Sequence, residues 1–184
     1  MFIVVSGVLT EEDKVVQMES DAESSYDGFF RAVFPRLVGQ AYLLTGSQEL
    51  AQDLAQEALV RAWAQWRHVS TLDRPEAWVR RVLHNLAIDE ARWRGRRHRL
   101  PLADATAPAG PDVEAMTVAA ALQALPPPRR RAMVLHDVAG VPVDEIAEEL
   151  GVPSGTVRSW LSRDRALLAE RLATAEKEES RSHE

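Results

Sequence analysis

The chain has no cysteine among its 184 residues. That excludes a disulfide framework, thiolate metal sites and a cysteine nucleophile. Histidine is scarce too: five residues, at 68, 84, 98, 136 and 183, without the paired spacing on which histidine metal sites are built. A glycine-rich phosphate loop and a nucleophile–base set are likewise missing, so no enzyme class has a foothold and neither metal nor cofactor is expected. Long apolar runs are absent. The stretch from Phe2 to Leu9 (FIVVSGVL) has no basic residue before it and falls far short of the roughly 20 residues a membrane span needs. The expectation is a cytoplasmic protein without membrane insertion, with Met18 as a candidate translation start.

Lysine is the last scarcity, two residues against twenty arginines, and the arginines are unevenly spread. Residues 1–57 carry a net charge of −7, whereas residues 58–100 hold ten basic and four acidic groups, a local +6 within a chain of overall charge −6. Screening confines charge effects to about 8 Å at physiological salt, so the basic block can meet phosphates while the acidic remainder discourages indiscriminate DNA binding.

The basic block contains the stretch around which the chain is organised, WVRRVLHNLAIDEARWRGRRHR from Trp78 to Arg99. At 100° per residue, Trp78, Val79, Val82, Leu83, Leu86 and Trp93 form one apolar stripe. Arg81, Asn85, Asp89 and Arg92 lie beside it, with His84 and Ile88 adjacent, and five arginines crowd the last eight residues. Arginine neutralises phosphate and an asparagine amide hydrogen-bonds a base edge, so this helix has the make-up of a nucleic-acid reader. The same composition also fits a solvated basic face.

Upstream, Phe29, Phe30, Val33, Phe34, Leu37, Val38, Ala41 and Tyr42 recur at helical spacing from Tyr26 to Leu44, ending at Thr45-Gly46. Ser47 is an N-cap for a second helix with Leu50, Ala51, Leu54, Ala55, Ala58, Ala62 and Trp66 inward. Its outward residues, Glu49, Asp53, Gln56, Glu57 and Arg61, need mean no more than solubility. A loop is expected from Arg67 to Arg74, and Pro75 opens the basic helix. Downstream, PLADATAPAGP (Pro101 to Pro111) lacks periodicity and reads as a linker.

A second helical unit follows. Val118, Leu122 and Leu125 mark one helix, Pro126 to Pro128 interrupts it, and Arg129 to Val138 forms another, on which His136 is expected at the surface rather than on a metal. Val143, Ile146, Ala147 and Leu150 then give a short helix ending at Gly151. After the turn Val152-Pro153-Ser154-Gly155, Thr156 and Val157 begin a longer helix. That is a helix-turn-helix, whose second helix enters the major groove. On its wheel Val157, Trp160, Leu161, Leu167 and Leu168 face inward, and Arg158, Ser159, Ser162, Arg163 and Arg165 face outward, side chains suited to guanine and phosphate. A helical hairpin without a DNA role would share the inward pattern, and Asp164, near the apolar side, has no evident reason to be there.

Three segments together carry a family resemblance over roughly Tyr26 to Leu172: LAQDLAQEALVRAWAQW (Leu50 to Trp66), AWVRRVLHNLAIDEARWRGRR (Ala77 to Arg97) and VDEIAEELGVPSGTVRSWLSRDRALL (Val143 to Leu168). The chain resembles the extracytoplasmic-function sigma factors of the sigma-70 family, and the phrase YLLTGSQELAQDL leans toward an actinobacterial, SigE-like branch. The resemblance implies an all-α fold of two small domains joined by a flexible linker. Residues 1–25 would be a disordered extension without counterpart in the family, 26–100 a sigma-2-like domain, 101–113 the linker, 114–172 a sigma-4-like domain and 173–184 a tail. It implies core RNA polymerase, through its β′ clamp and β flap, and promoter DNA as partners, with an anti-sigma factor as inhibitor. Glu49, Asp53, Gln56, Glu57 and Arg61 would meet the clamp, which reverses their reading as solubilising residues. Arg81, His84, Asn85, Asp89, Arg92, Arg96 and Arg97 would contact the −10 element, with Asn85 and the 67–74 loop at its flipped-out base. Ser154, Thr156, Arg158, Ser159, Ser162, Arg163 and Arg165 would contact the −35 element. The linker would thread toward the polymerase active centre, with Asp104, Asp112 and Glu114 resembling phosphates. Two other readings stay open: a sigma-shaped mimic that sequesters a partner, which has no need of Arg81 and Asn85, and a free-standing repressor, which has no use for the clamp-like helix.

Overall fold

A computed structural model describes the backbone of residues 11–97 and 113–182 and the side chains of 22–93 and 115–173. Everything described is helix or turn, in two units with separate cores. The expected linker lies outside the described residues, as do the side chains of Arg96 and Arg97.

Helices α1 (Glu11–Thr45), α2 (Gln48–Ala64), α3 (Trp66–Val69) and α4 (Pro75–Arg97) build the first unit. Its core takes Val33, Leu37 and Ala41 from α1, Ala51, Leu54, Ala58 and Leu59 from α2, and Val79 and Leu83 from α4. The many alanines let α2 sit close against its neighbours. Helix α1 is described from Glu11, fifteen residues ahead of the expected Tyr26, and it runs through Gly28 and Pro35 without a break. It ends where expected: Gly46 takes φ +71°, its N–H meets the Tyr42 carbonyl at 2.7 Å, and Ser47 then caps α2 by accepting the Leu50 N–H at 3.3 Å. The expected 67–74 loop is shorter than the sequence suggests, since Arg67 to Val69 belong to α3, held by a buried Trp66. Around Trp66 gather Tyr26 and Phe29, with ring centroids 5.2 and 5.0 Å away, and the Tyr26 hydroxyl donates to the Leu59 carbonyl at 2.8 Å.

The second unit comprises α5 (Val113–Gln123), α6 (Pro127–Met133), α7 (Val143–Leu150) and α8 (Ser154–Ser182), with Val134–Val138 continuing α6 as a π-turn. Gly151 at φ +67° closes α7, and α8 starts at Ser154, two residues earlier than expected, which makes the turn tighter. Its core is built from Leu122, Leu125, Val134, Leu135, Ile146, Val157 and Leu161.

The units pack on each other rather than hanging apart on their connection. Leu43 and Leu44, at the end of α1, lie against the second core. The Arg130 guanidinium donates to the Leu44 carbonyl at 2.6 Å and to the carbonyls of Leu122, Gln123 and Leu125, so one side chain satisfies the open C-terminal ends of both α1 and α5. Gln123 adds an amide donated to the Leu43 carbonyl at 3.1 Å.

Candidate nucleic-acid and polymerase interfaces

Three outward faces carry the residues singled out from the sequence. The first lies on α2, where Glu49, Asp53, Gln56, Glu57 and Arg61 are all exposed. Arg61 donates to Glu57 at 2.8 Å, one helical turn apart, which leaves Asp53 and Gln56 facing solvent. The same face continues into Val60 and Trp63, 60% and 46% exposed, which the sequence reading did not single out. Their signal was present: 49, 53, 56, 60 and 63 follow three- and four-residue steps, one stripe on the wheel. A stripe that mixes carboxylate, amide and exposed aromatic has the composition of a protein-binding surface.

The second face is on α4. Arg81, Asn85, Asp89 and Arg92 are exposed at helical spacing, with Asp89 and Arg92 paired at 3.7 Å. His84 is not on this exposed strip: with the two units packed its side chain is completely buried, its Nε2 3.4 Å from the Gln40 amide oxygen of α1 and Arg131 of the second unit alongside, so a DNA contact through it requires the units to part. Burial, with the charges of Arg131 and Arg80 added, holds its pKa down at about 3 against an ordinary 6.5, so the ring is neutral. Trp93, placed on the inward stripe by its spacing, is 43% exposed, six positions past Ala87, the last α4 residue of the buried core.

The α4 face also meets the second unit. The Asn85 amide oxygen accepts from Arg131 Nη2 at 3.4 Å, and Arg131 pairs in turn with Glu149 of α7. Glu145, one turn earlier on α7, takes Arg74 at 3.3 Å and Arg80 at 3.5 Å. Between the faces lies a cleft of about 840 Å³, walled by Asn85, Ile88 and Arg92 on one side and Pro128, Arg131 and Trp160 on the other. Nothing in the spacing singles out Arg131, since periodicity does not separate a buried arginine from an exposed one.

The third face is on α8. Arg158, Ser162, Arg163 and Arg165 are exposed, and Ser154, Thr156 and Ser159 are half-buried. Two of the arginines have acidic neighbours: Arg158 approaches Asp144 at 3.4 Å, and Arg165 donates through Nε to Asp137 at 3.2 Å beside His136. Burial works to raise the Asp137 carboxyl, but hydrogen bonds and charge from Arg165 and His136 outweigh it and hold the group below its usual range. Arg163 has no such partner among the described residues, which leaves its five donors available. Asp164 proves to be structural. Wholly buried, it receives both Nε and Nη2 of Arg129 and fastens the recognition helix to the start of α6.

Two family models match the chain: sigma-70 region 2 over residues 29–97, which is α1 to α4, and sigma-70 region 4 over residues 115–168, which is α5 into α8. The chain is 36% identical over 172 residues to the ECF RNA polymerase sigma factor SigE of Mycolicibacterium smegmatis, covering 88% of this chain and 66% of that one. To the ECF RNA polymerase sigma factor SigM of Mycobacterium tuberculosis it is 33% identical over 156 residues, 79% of this chain and 76% of the relative. Among solved structures, the sigma factor RpoE from Bartonella quintana, in complex with the anti-sigma factor NepR, superposes with a TM-score of 0.68 at 27% identity, covering 81% of this chain and 97% of that one.

Proposed function

Because the chain belongs to the extracytoplasmic-function sigma factors of the sigma-70 family, a non-enzymatic family, we propose that it is a promoter-specificity subunit that binds core RNA polymerase and directs it to −10 and −35 elements. The observation that carries this reading is the order of three outward faces on one chain: a carboxylate–amide–aromatic stripe on α2, an arginine–asparagine strip on α4 and an arginine–serine face on α8. The first docks on the β′ clamp, and the second unit meets the β flap. With polymerase holding the duplex, Asn85 and the 70–74 loop take one unstacked base, offsetting a melting cost of a few kcal/mol per step. Ser154, Thr156, Arg158, Ser159, Ser162, Arg163 and Arg165 set the register of α8 in the major groove.

The cytoplasm is the proposed place of action, and no helix among the described residues is long and apolar enough to cross a membrane. An anti-sigma protein is a further proposed partner, supported by the Bartonella relative's complex with NepR. Run-off transcription from a genomic library with reconstituted holoenzyme tests the proposal. Promoter-dependent transcripts that require both core and this chain are expected, and their absence overturns it.

A further inference from the structure

The arginines of the α8 face are held in different ways. Arg158 meets Asp144 through one nitrogen at 3.4 Å, and the Asp144 side chain is 77% exposed. Arg165 donates Nε to Oδ2 of Asp137 at 3.2 Å and Nη2 to its Oδ1, a fork on a carboxylate that is only 33% exposed. His136 closes the cluster, its Nδ1 2.7 Å from Asp137 Oδ1 and 2.9 Å from Arg165 Nη2. Both His136 and Asp137 sit in the π-turn that ends α6, fixed where the Ala139 N–H meets the Val134 carbonyl five residues back at 3.0 Å.

A one-point pair between exposed groups is loosened by water and salt, whereas a two-point fork on a sheltered carboxylate keeps its geometry. Burial works to raise the Asp137 carboxyl, but the bonds from Arg165 and His136 hold it below its usual range, so it is ionised at neutral pH. The pair therefore offers no net charge to phosphate, and two of the five Arg165 donors are engaged. Arg163, two positions earlier, keeps its full charge. Contacts to phosphate are blind to sequence, and each free cation on a reading helix strengthens its hold on every duplex alike. Cancelling one of them leaves a larger share of the binding to the groups that read bases.

We propose that Asp137 is a specificity-determining positioning residue: by holding the Arg165 guanidinium in a fixed, charge-cancelled fork, it suppresses the sequence-blind grip of α8 on duplex and leaves discrimination to Arg163 and its serine neighbours. This rests on the promoter-reading function proposed above. It gives a part in that reading to a residue outside the recognition helix, and it makes Arg165 a fixed strut rather than a free phosphate contact.

The test is the salt dependence of holoenzyme binding, by fluorescence anisotropy, to a promoter duplex found by run-off transcription and to the same duplex with its −35 element scrambled. Asp137→Asn turns a neutral pair into a cation. Its log–log salt slope on the scrambled duplex should steepen by about 0.9, and its affinity there should rise about fivefold or more at about 0.1 M salt. Affinity for the intact promoter should rise less, because the order of the fork is lost there, so discrimination falls. Asp137→Ser, which removes the charge without adding an amide, should behave alike. Asp137→Asn/Arg165→Gln removes both charges and should return the slope to the wild-type value, while core binding stays unchanged throughout. Slopes in both Asp137 variants equal to wild type, or a double variant shallower than wild type by about one, overturn the proposal, since Arg165 would then contact phosphate regardless of Asp137. Wild-type holoenzyme that treats the two duplexes alike overturns the functional reading itself, and the proposal with it.

Discussion

Arg129 and Asp164 form a buried clasp between α6 and α8, Nε to Oδ2 at 2.9 Å with Nη2 on the other oxygen, and the two ends are unequally exposed. Asp164 is completely enclosed, whereas the Arg129 side chain keeps 30% of its surface in solvent. Removing one partner of a buried pair strands the other. Arg129→Ala strands an enclosed carboxylate and should cost about 3 kcal/mol, whereas Asp164→Ala leaves an arginine that can turn to water and should cost roughly half as much. Urea unfolding of the two variants checks the order, and equal costs would contradict the asymmetry.

His84 should make stability depend on acid. Its folded-state pKa of about 3 lies below the unfolded 6.5, so between those values the unfolded chain binds a proton that the folded chain refuses. The contribution is intact above about pH 6.5 and is lost as pH falls, at about 1.4 kcal/mol per unit, or about 2 kcal/mol by pH 5. His84→Gln should flatten this slope, measured by urea midpoints at pH 5 and pH 7. An unchanged slope would show that other groups carry it.

The three faces should separate by assay. Asp53→Ala/Gln56→Ala is expected to weaken polymerase binding about tenfold or more while leaving the melting temperature within a few degrees, since both side chains are exposed, and Trp63→Ala should weaken binding as much but also lower the melting temperature, because its ring packs on Tyr26 at 4.8 Å. Asn85→Ala and Arg163→Ala should lose transcription while retaining polymerase binding. Pull-down with core and run-off transcription, in parallel, read the difference; the same loss of core binding in every variant would erase the distinction.

Glu145→Gln should loosen the packed form while leaving every side chain proposed to read DNA in place, although it frees Arg74 of the 70–74 loop. Its partners Arg74 and Arg80 differ in exposure, 60% and 8%, so screening by salt removes the first pair more than the second. Amide exchange of the Leu43 to Gly46 backbone should therefore quicken in the variant, and quicken in the wild type as salt is raised. Exchange indifferent to both would mean that Glu145 holds nothing.

Much of this was readable in the sequence because it rests on local rules. Thr45-Gly46-Ser47 punctuates α1 and α2 by backbone conformation and capping alone, Pro75 starts α4, and Gly151 ends α7. The outward positions of Asp53, Asn85 and Arg163 follow from helical period and neighbouring leucines and alanines. What escaped depends on contacts between distant segments. His84 lies only one residue from exposed Asn85, and nothing on α4 tells that Gln40 and Arg131 enclose it. Asp164 looked misplaced because its partner stands 35 residues away. The packing of the two units hinges on Arg130 and Arg131, which as sequence are merely two more arginines in an arginine-rich chain.

On this reading the chain recognises a promoter only when polymerase spaces its two readers. Fluorescence anisotropy on a labelled promoter duplex in near-physiological salt, with the chain alone and with core added, tests it most directly. No sequence-specific binding is expected from the chain alone up to micromolar concentration, and tight, promoter-specific binding once core is present. Nanomolar binding of a unique duplex by the chain alone, or no gain on adding core, would contradict it.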